Sequence, residues 1–217
     1  MSPYSQIFGN FPHKIDTKEK LIALTFDDGP NEPFTSQIVN YLNEKNVKAT
    51  FFQVAENVQR YPKTTLAIAK AGHIIGNHSL SHKFGNYISQ PSLRNEIETS
   101  QSVFFNLLGK KPALFRPPWL WRQPFLFNTL KVMRLHPVSG IFCSNLEVFQ
   151  LGAESIAKRT LARVNPGSII IFHDGYNAKS TNRSQTVQAV KLVVEELLKQ
   201  NYRLVTVDKL LQVPAYL

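Results

Sequence analysis

The chain has 217 residues, 43% of them hydrophobic, which suits one domain or one α/β barrel of modest size. No apolar run reaches the roughly 18 residues that a membrane span needs, and the polar, charged residues 1–20 hold no apolar segment of a signal peptide. Lys and Arg number 25 against 15 Asp and Glu, a formal charge of +10 that favours anionic partners such as acidic cell-wall polymer or lipid phosphate; no basic run interleaved with aromatics marks a nucleic-acid groove.

Residues 1–20 read as an irregular N-terminal arm and 21–217 as a single domain. Leu21-Ile22-Ala23-Leu24 is a short apolar run of the kind buried in parallel sheets. The strand it opens, 21–26, runs into Asp27-Asp28-Gly29-Pro30, two adjacent carboxylates before a Gly-Pro breaker. Pro33 suits the first position of a helix that turns Ile38, Tyr41, Leu42 and Lys45 to one face. Residues 48–52 read as a second strand and 63–71 as a helix stopped by Gly72. A third strand, 73–76, leads into Asn77-His78-Ser79-Leu80-Ser81-His82.

Ser89 caps a helix that begins near Pro91, carries Leu93, Ile97, Phe104 and Leu108 on one face, and stops at Gly109. Leu114-Phe115-Arg116 is a short strand ended by Pro117-Pro118; 122–133 reads as helix, 138–144 as strand and 153–164 as helix. The buried strand 168–172 ends at His173-Asp174-Gly175. A helix over 183–199 turns Val187, Val190, Val194 and Leu197 inward, and 203–205 is a final strand. Such alternation implies parallel β/α units, and the chemically interesting residues all fall at strand C-termini, the layout of a barrel with its site at one rim. The lone cysteine, Cys143, excludes an intrachain disulfide and reads as a small buried hydrophobe.

Two carboxylates held close do not both ionise cheaply without a cation. Asp27-Asp28 at a strand end therefore predicts a metal, a basic partner or a raised pKa; two solvated aspartates capping the next helix are the alternative. His78 and His82 are four apart, which puts both imidazoles on one side of a helical turn. With a carboxylate from Asp28 they make a three-ligand set with room for water, the open form of a catalytic metal site. Arg116 joins a fixed cation to the stiff Pro117-Pro118 backbone, and beside a catalytic carboxylate it would keep that group charged and oriented. Trp119 and Trp121 suit a sugar-stacking wall as well as they suit the core. His173 is placed to enter the same rim as a general acid, whereas His13, His73 and His136 belong to no such set.

Together, Thr25-Phe26-Asp27-Asp28-Gly29-Pro30, His78-Ser79-Leu80-Ser81-His82, Arg116-Pro117-Pro118-Trp119 and Ile170-Ile171-Phe172-His173-Asp174 resemble, in order and spacing, the polysaccharide deacetylases. These are the NodB-homology domains, or family 4 carbohydrate esterases, and the resemblance runs over about residues 20–208. It implies a distorted, incomplete (β/α) barrel of about seven parallel strands with outer helices. It also implies one divalent metal, usually zinc, with cobalt or nickel as alternatives. By the same resemblance Asp27 is the base, Asp28, His78 and His82 are metal ligands, Arg116 orients the base and His173 is the acid. Pro117, Pro118, Trp119 and Ile171 are implied substrate contacts, Trp119 through a backbone N–H for the oxyanion and Ile171 in a pocket for the acetyl methyl. The implied reaction removes N-acetyl groups from N-acetylhexosamine polymers or oligomers of chitin, chitooligosaccharide or peptidoglycan type, and releases acetate.

The chain departs from that pattern twice. Trp119-Leu120 follows the prolines where the family has Tyr-Gly, and Val148-Phe149 takes the place of an Asp-Trp pair. The lost carboxylate would tune Arg116 or the catalytic histidine; Glu147 is the available substitute if the alignment shifts by one residue, but on an extended segment it points away, and His173 is then expected to have a lowered pKa. Two further functions follow from these features: a deformylase or deacetylase of a lipid-linked sugar, which the basic charge suits, and a catalytically weak carbohydrate-binding homologue. The expected location is the cell envelope or outside the cell if a signal has been removed, and otherwise the cytoplasm.

Overall fold

The computed structural model describes residues 4–144, 147–176 and 181–217. Strand β1 (Leu21–Asp27) is the axis of the sheet. It pairs in parallel with β2 (Thr50–Gln53) on one side and β7 (Ile169–His173) on the other, with Thr25 beside both Thr50 and Ile171. Beyond β2 lie β3 (Ile74–Asn77), β4 (Leu114–Phe115) and β5 (His136–Pro137); beyond β7 lies β6 (Ile141–Phe142). The order is β5-β4-β3-β2-β1-β7-β6, and a short β8 (Arg203–Leu204) pairs with the start of β1.

The two edges of this order are consecutive in the chain, with only residues 138–140 between them. So short a link spans at most about 14 Å. The sheet must therefore curl until its edges face each other, which makes a half-closed barrel of seven parallel strands. The expected single strand over 138–144 is corrected here. The chain pairs at 136–137, leaves the sheet to cross between the edges, and pairs again at 141–142. Gly140 permits the crossing, because a Cβ there would press on Ile171 Cγ1 at 2.6 Å.

Among the described residues eight α-helices pack around the sheet: α1 (Phe34–Glu44), α2 (Ala55–Arg60), α3 (Pro62–Lys70), α4 (Gln90–Leu108), α5 (Pro124–Val132), α6 (Ala153–Leu161), α7 (Ser184–Lys199) and α8 (Val207–Leu211). The Ser89 hydroxyl caps α4 by accepting from Ser92 N–H, and Gly109 ends it at φ 69°. Lys45 caps the end of α1 on the expected face, exposed, with its ammonium 5.6 Å over the Tyr41 ring. The sequence reading missed α2 and α8, which are too short to show a periodic stripe. Among the described residues no helix is long and apolar enough to cross a membrane.

Alternation along β1 sorts the core into two layers. Ile22, Leu24 and Phe26 face the helices, where Phe26 stacks between Phe51 and Phe172 at 4.8 and 5.9 Å. Each such fully buried side chain contributes roughly 1.5–3 kcal/mol. Ala23 faces the barrel interior with Phe52, Leu114, Val138 and Ile169. By the same alternation Thr25 and Asp27 point inward, which carries a carboxylate to the inner rim.

The N-terminal arm is tied to this frame. Phe11 is fully buried with Leu120 and Ile171, and Lys14 forms an antiparallel bridge to Ser168. Ser139 N–H donates to Pro12 O (2.9 Å) and Ile169 N–H to His13 O (3.0 Å), so the arm lies across the crossing between the sheet edges. Cys143 is buried.

Gly76 in β3 is required by packing, since a Cβ there would overlap the ring of Phe52. Gly76→Ala is expected to lower stability by about 1–3 kcal/mol, read from urea unfolding. An unchanged midpoint would mean that the Phe52 ring steps aside freely.

Candidate active site

At the end of β1 the chain places two carboxylates in one cleft although neighbouring side chains on a strand diverge. Asp27 already points inward. Asp28 then takes a left-handed conformation, φ 73°, which turns its side chain back to the same side. Gly175, after β7, allows this turn, because a Cβ there would collide with the Asp28 carbonyl. Burial by itself would raise the Asp28 pKa. Hydrogen bonds with His78 and His82 and the positive charge of His82 and His173 hold it well below the usual carboxylate range.

The two histidines meet Asp28 by a different route from the helical turn expected. Residues 78–83 are not helical; Ser79 (φ 74°) and His82 (φ 53°) are left-handed and fold the segment into a tight loop. Asn77 Oδ1 accepts from Ser79 N–H at 2.8 Å, and the Ser79 hydroxyl accepts from His82 N–H at 3.1 Å. Glu96, buried on α4, clamps the same loop. Its Oε2 accepts from the N–H groups of Leu80 (3.2 Å) and Ser81 (3.0 Å), and its Oε1 from Ser81 Oγ (2.8 Å) and Asn86 Nδ2 (2.6 Å). Sequence reasoning missed Glu96, although a charged residue on the stripe of Leu93 and Ile97 was the available signal.

His78 Nδ1 lies 2.7 Å from the Arg116 carbonyl, so it carries the proton and leaves the Nε2 lone pair facing the cleft. His78 Nε2 and His82 Nε2 sit 3.3 and 3.1 Å from Asp28 Oδ1, and all three ligand atoms fall within 4.8 Å of one another. The His78 Nε2 lone pair turned towards the Asp28 carboxylate calls for a cation between them. One oxygen and two nitrogen donors, with one side open to the cleft, fit a divalent ion that keeps room for water.

Behind this set, Arg116 is fully buried. Its Nη1 donates to Asp27 Oδ1 (2.6 Å) and Thr25 Oγ1 (2.7 Å), and its Nη2 donates to Ser139 O (2.8 Å). The guanidinium also lies 4.0 Å over the Phe52 ring.

His173 corrects a second expectation. Glu147 does not lie on an extended strand but opens a short 3₁₀ turn, Glu147–Phe149, which aims its side chain inward. Glu147 Oε2 sits 2.9 Å from His173 Nδ1, while Oε1 accepts from the Thr186 hydroxyl. The carboxylate expected to be lost with Val148 is supplied one residue earlier. Burial disfavours the imidazolium, but the Glu147 bond and the charges of Glu147, Asp28 and Asp27 outweigh it and lift the His173 pKa to about 9, not below its ordinary value. Burial likewise disfavours the charged Glu147, yet His173, Arg183 and Thr186 bring its pKa below the usual value.

These groups open on one cleft of about 620 Å³. Asp27, Asp28, His78, His82 and His173 line it, as do Pro117 and Trp119. Pro118 and Ile171 do not; Ile171 is sealed behind the wall with Phe11 and Leu120, and Leu120 and Phe142 take the apolar lining position. Tyr4 of the arm and Tyr176 complete the walls, and no pattern in the sequence marked either. Five of the ten described non-glycine residues with left-handed φ lie here: Asp28, Ser79, His82, Trp119 and Leu120. At Leu120 (φ 52°), where the resemblance leads one to expect glycine, burial against Phe11 and Ile171 holds the larger residue in place.

Glu96→Ala should weaken metal binding about 10–100-fold by releasing the histidine loop, measured by competition with a chelator. Equal affinity for zinc or cobalt in mutant and wild type would show that the loop keeps its shape without the clamp.

Residues 14–134 match the family model described as polysaccharide deacetylase. A peptidoglycan-N-acetylglucosamine deacetylase of Bacillus cereus is 36% identical over 200 residues, 92% of each chain. Among solved structures, a peptidoglycan N-acetylglucosamine deacetylase in complex with 4-naphthalen-1-yl-N-oxidanyl-benzamide superposes with a TM-score of 0.85 at 28% identity, over 94% of this chain and 92% of that one. A family 4 acetyl xylan esterase from Clostridium thermocellum, in complex with a cobalt ion, gives 0.80 at 32% identity over 90% and 94%. This chain belongs to the polysaccharide deacetylase family.

Proposed function

We propose that the protein is a metal-dependent hydrolase that removes N-acetyl groups from N-acetylhexosamine polymers or oligomers of peptidoglycan or chitin type and releases acetate. One observation carries the reading. Asp27 and His173 are direct partners across β1 and β7, and both open on the cleft that holds Asp28, His78 and His82. A base and an acid thus flank a metal-binding set, as amide hydrolysis requires. The names of the relatives support the substrate class, and the mixed nitrogen and oxygen donors favour zinc over the harder cations.

Asp28, His78 and His82 would hold the ion, which when bound would polarise the amide carbonyl and acidify a water. Asp27 removes the proton from the attacking water. Its Oδ1 is engaged by Arg116, so Oδ2 is the oxygen left for that task and its direction is fixed. The Trp119 N–H supports the oxyanion. The C–N bond then breaks as His173 Nε2 passes its proton to the leaving nitrogen, giving a free amine and acetate. Glu147 holds the opposite ring nitrogen, so Nε2 is the atom turned to the substrate. The binding-only alternative was motivated by the missing carboxylate; with Glu147 beside His173 that motive falls away.

Asp27→Asn is expected to lower acetate release from N-acetylglucosamine oligomers by about 10²–10⁴-fold while the protein still binds one equivalent of metal. A near wild-type rate in the metal-loaded variant would remove Asp27 from the base role.

A second expectation concerns pH. The acid works only while protonated, so kcat/KM falls on the basic side as His173 loses its proton. Glu147→Gln removes the charge and the bond that favour the imidazolium and leaves burial to oppose it. The basic limb should therefore move to lower pH. A limb that stays in place in the folded, metal-loaded variant would assign it to another group.

A further inference from the structure

Beside the metal-binding loop the surface carries an aromatic patch whose rings the chemistry above does not use. Phe84, Trp119 and Trp121 are 47, 44 and 43% exposed, so each holds a large apolar face in water. They form a continuous track. The ring of His82 meets Trp119 at 4.5 Å, Trp119 meets Phe84 at 5.4 Å, and Phe84 meets Trp121 at 5.2 Å, each pair edge to face. The track starts on a residue of the cleft wall, Trp119, and leads away from it; Phe84 and Trp121 are not among the cleft-lining residues.

The rings are also held rigidly. Trp119 lies over buried Tyr87 at 6.1 Å. Its turn is closed by Leu120 N–H to Pro117 O and Trp121 N–H to Pro118 O, both 3.0 Å. Trp121 stands between two buried residues. Leu120 packs on Phe11, and Arg122 lies over the same Phe11 ring at 5.0 Å while donating to Ser5 O at 3.1 Å. An exposed indole fixed in this way loses little conformational entropy on meeting a ligand.

We propose that Phe84, Trp119 and Trp121 form a second sugar-binding subsite, which holds the pyranose ring next to the one being deacetylated. The proposal rests on the deacetylase reading above and extends it from one ring to a chain. A polymer whose reacting ring sits at His82 must leave the cleft over its rim, and on this side the rim is the aromatic track. Flat aromatic faces suit the C–H faces of a pyranose, and stacking tolerates variation in the substituents that hydrogen bonds would have to match. The subsite therefore selects chain length more than decoration.

The test compares zinc-loaded wild type, Trp121→Ala, Phe84→Ala and Trp121→Phe on β-1,4-linked N-acetylglucosamine oligomers from dimer to hexamer. In wild type kcat/KM should rise with length. In either alanine variant the ratio of tetramer to dimer should fall by roughly tenfold, chiefly through KM, while Trp121→Phe retains most of the gain. Identical length profiles in wild type and both alanine variants would overturn the subsite and leave the deacetylase reading standing. If wild type releases no acetate from any oligomer, that reading fails, and calorimetric binding of the tetramer to the zinc-loaded Asp27→Asn protein decides the subsite. Binding that Trp121→Ala abolishes supports it, and equal or absent binding overturns it. A concentration-dependent dimer in wild type that Trp121→Ala dissolves would give the face to self-association and equally overturn the proposal.

Discussion

Arg116 has no exposed surface, and an uncompensated cation in such a place would cost several kcal/mol. The surrounding chain is arranged to meet that demand. β1 supplies Thr25 and Asp27, β2 supplies the Phe52 ring, and the crossing between the sheet edges supplies the carbonyls of Val138 and Ser139. The Arg116 carbonyl in turn fixes the tautomer of His78. One residue thus couples barrel closure, the orientation of Asp27 and the readiness of His78 to act as a ligand. A buried pair of this kind adds little net stability, but loss of either partner is costly because the other is left unpaired. The constraint specifies geometry more than it strengthens the fold.

Two pairs of opposite charge border the cleft that holds Asp28, His78 and His82. Arg116 with Asp27 has its cation fully buried and its carboxylate at the cleft edge, held as an acceptor. Glu147 with His173 is partly open to the cleft and holds an imidazole as donor. The two pairs thus set an acceptor and a donor side by side across neighbouring strands. A bound cation would cancel the part of the His173 shift that comes from Asp28, but not the part that comes from Glu147. The local partner is therefore the robust element of that shift.

Much of the site was legible because strand ends are where parallel β/α units bring residues together. Asp27, Asp28, Arg116 and His173 each follow a short apolar run, and the alternation of β1 alone points Asp27 inward. What was not legible lies in irregular backbone. The left-handed residues at Ser79 and His82 replace a helix with a loop that no periodicity reports. The 3₁₀ turn at Glu147 turns inward a carboxylate that an extended chain would turn out. The division of 138–144 into two strands follows from the need of the sheet edges to meet, a tertiary requirement. Ile171 was placed on the right strand, but Leu120, in a glycine's place, stands between it and the cleft.

The arm that crosses the gap in the barrel brings Tyr4 to the cleft wall, whereas the other terminus pairs beneath β4, with Ala113 N–H donating to Ala215 O, at the far end of the strands from the site. Tyr4 and Leu217 therefore lie at opposite poles. A tag, linker or carrier joined after Leu217 emerges behind the rim that carries the cleft. For immobilising the protein on a surface or fusing it to a wall-anchoring module, the C-terminus is the handle that leaves the mouth free.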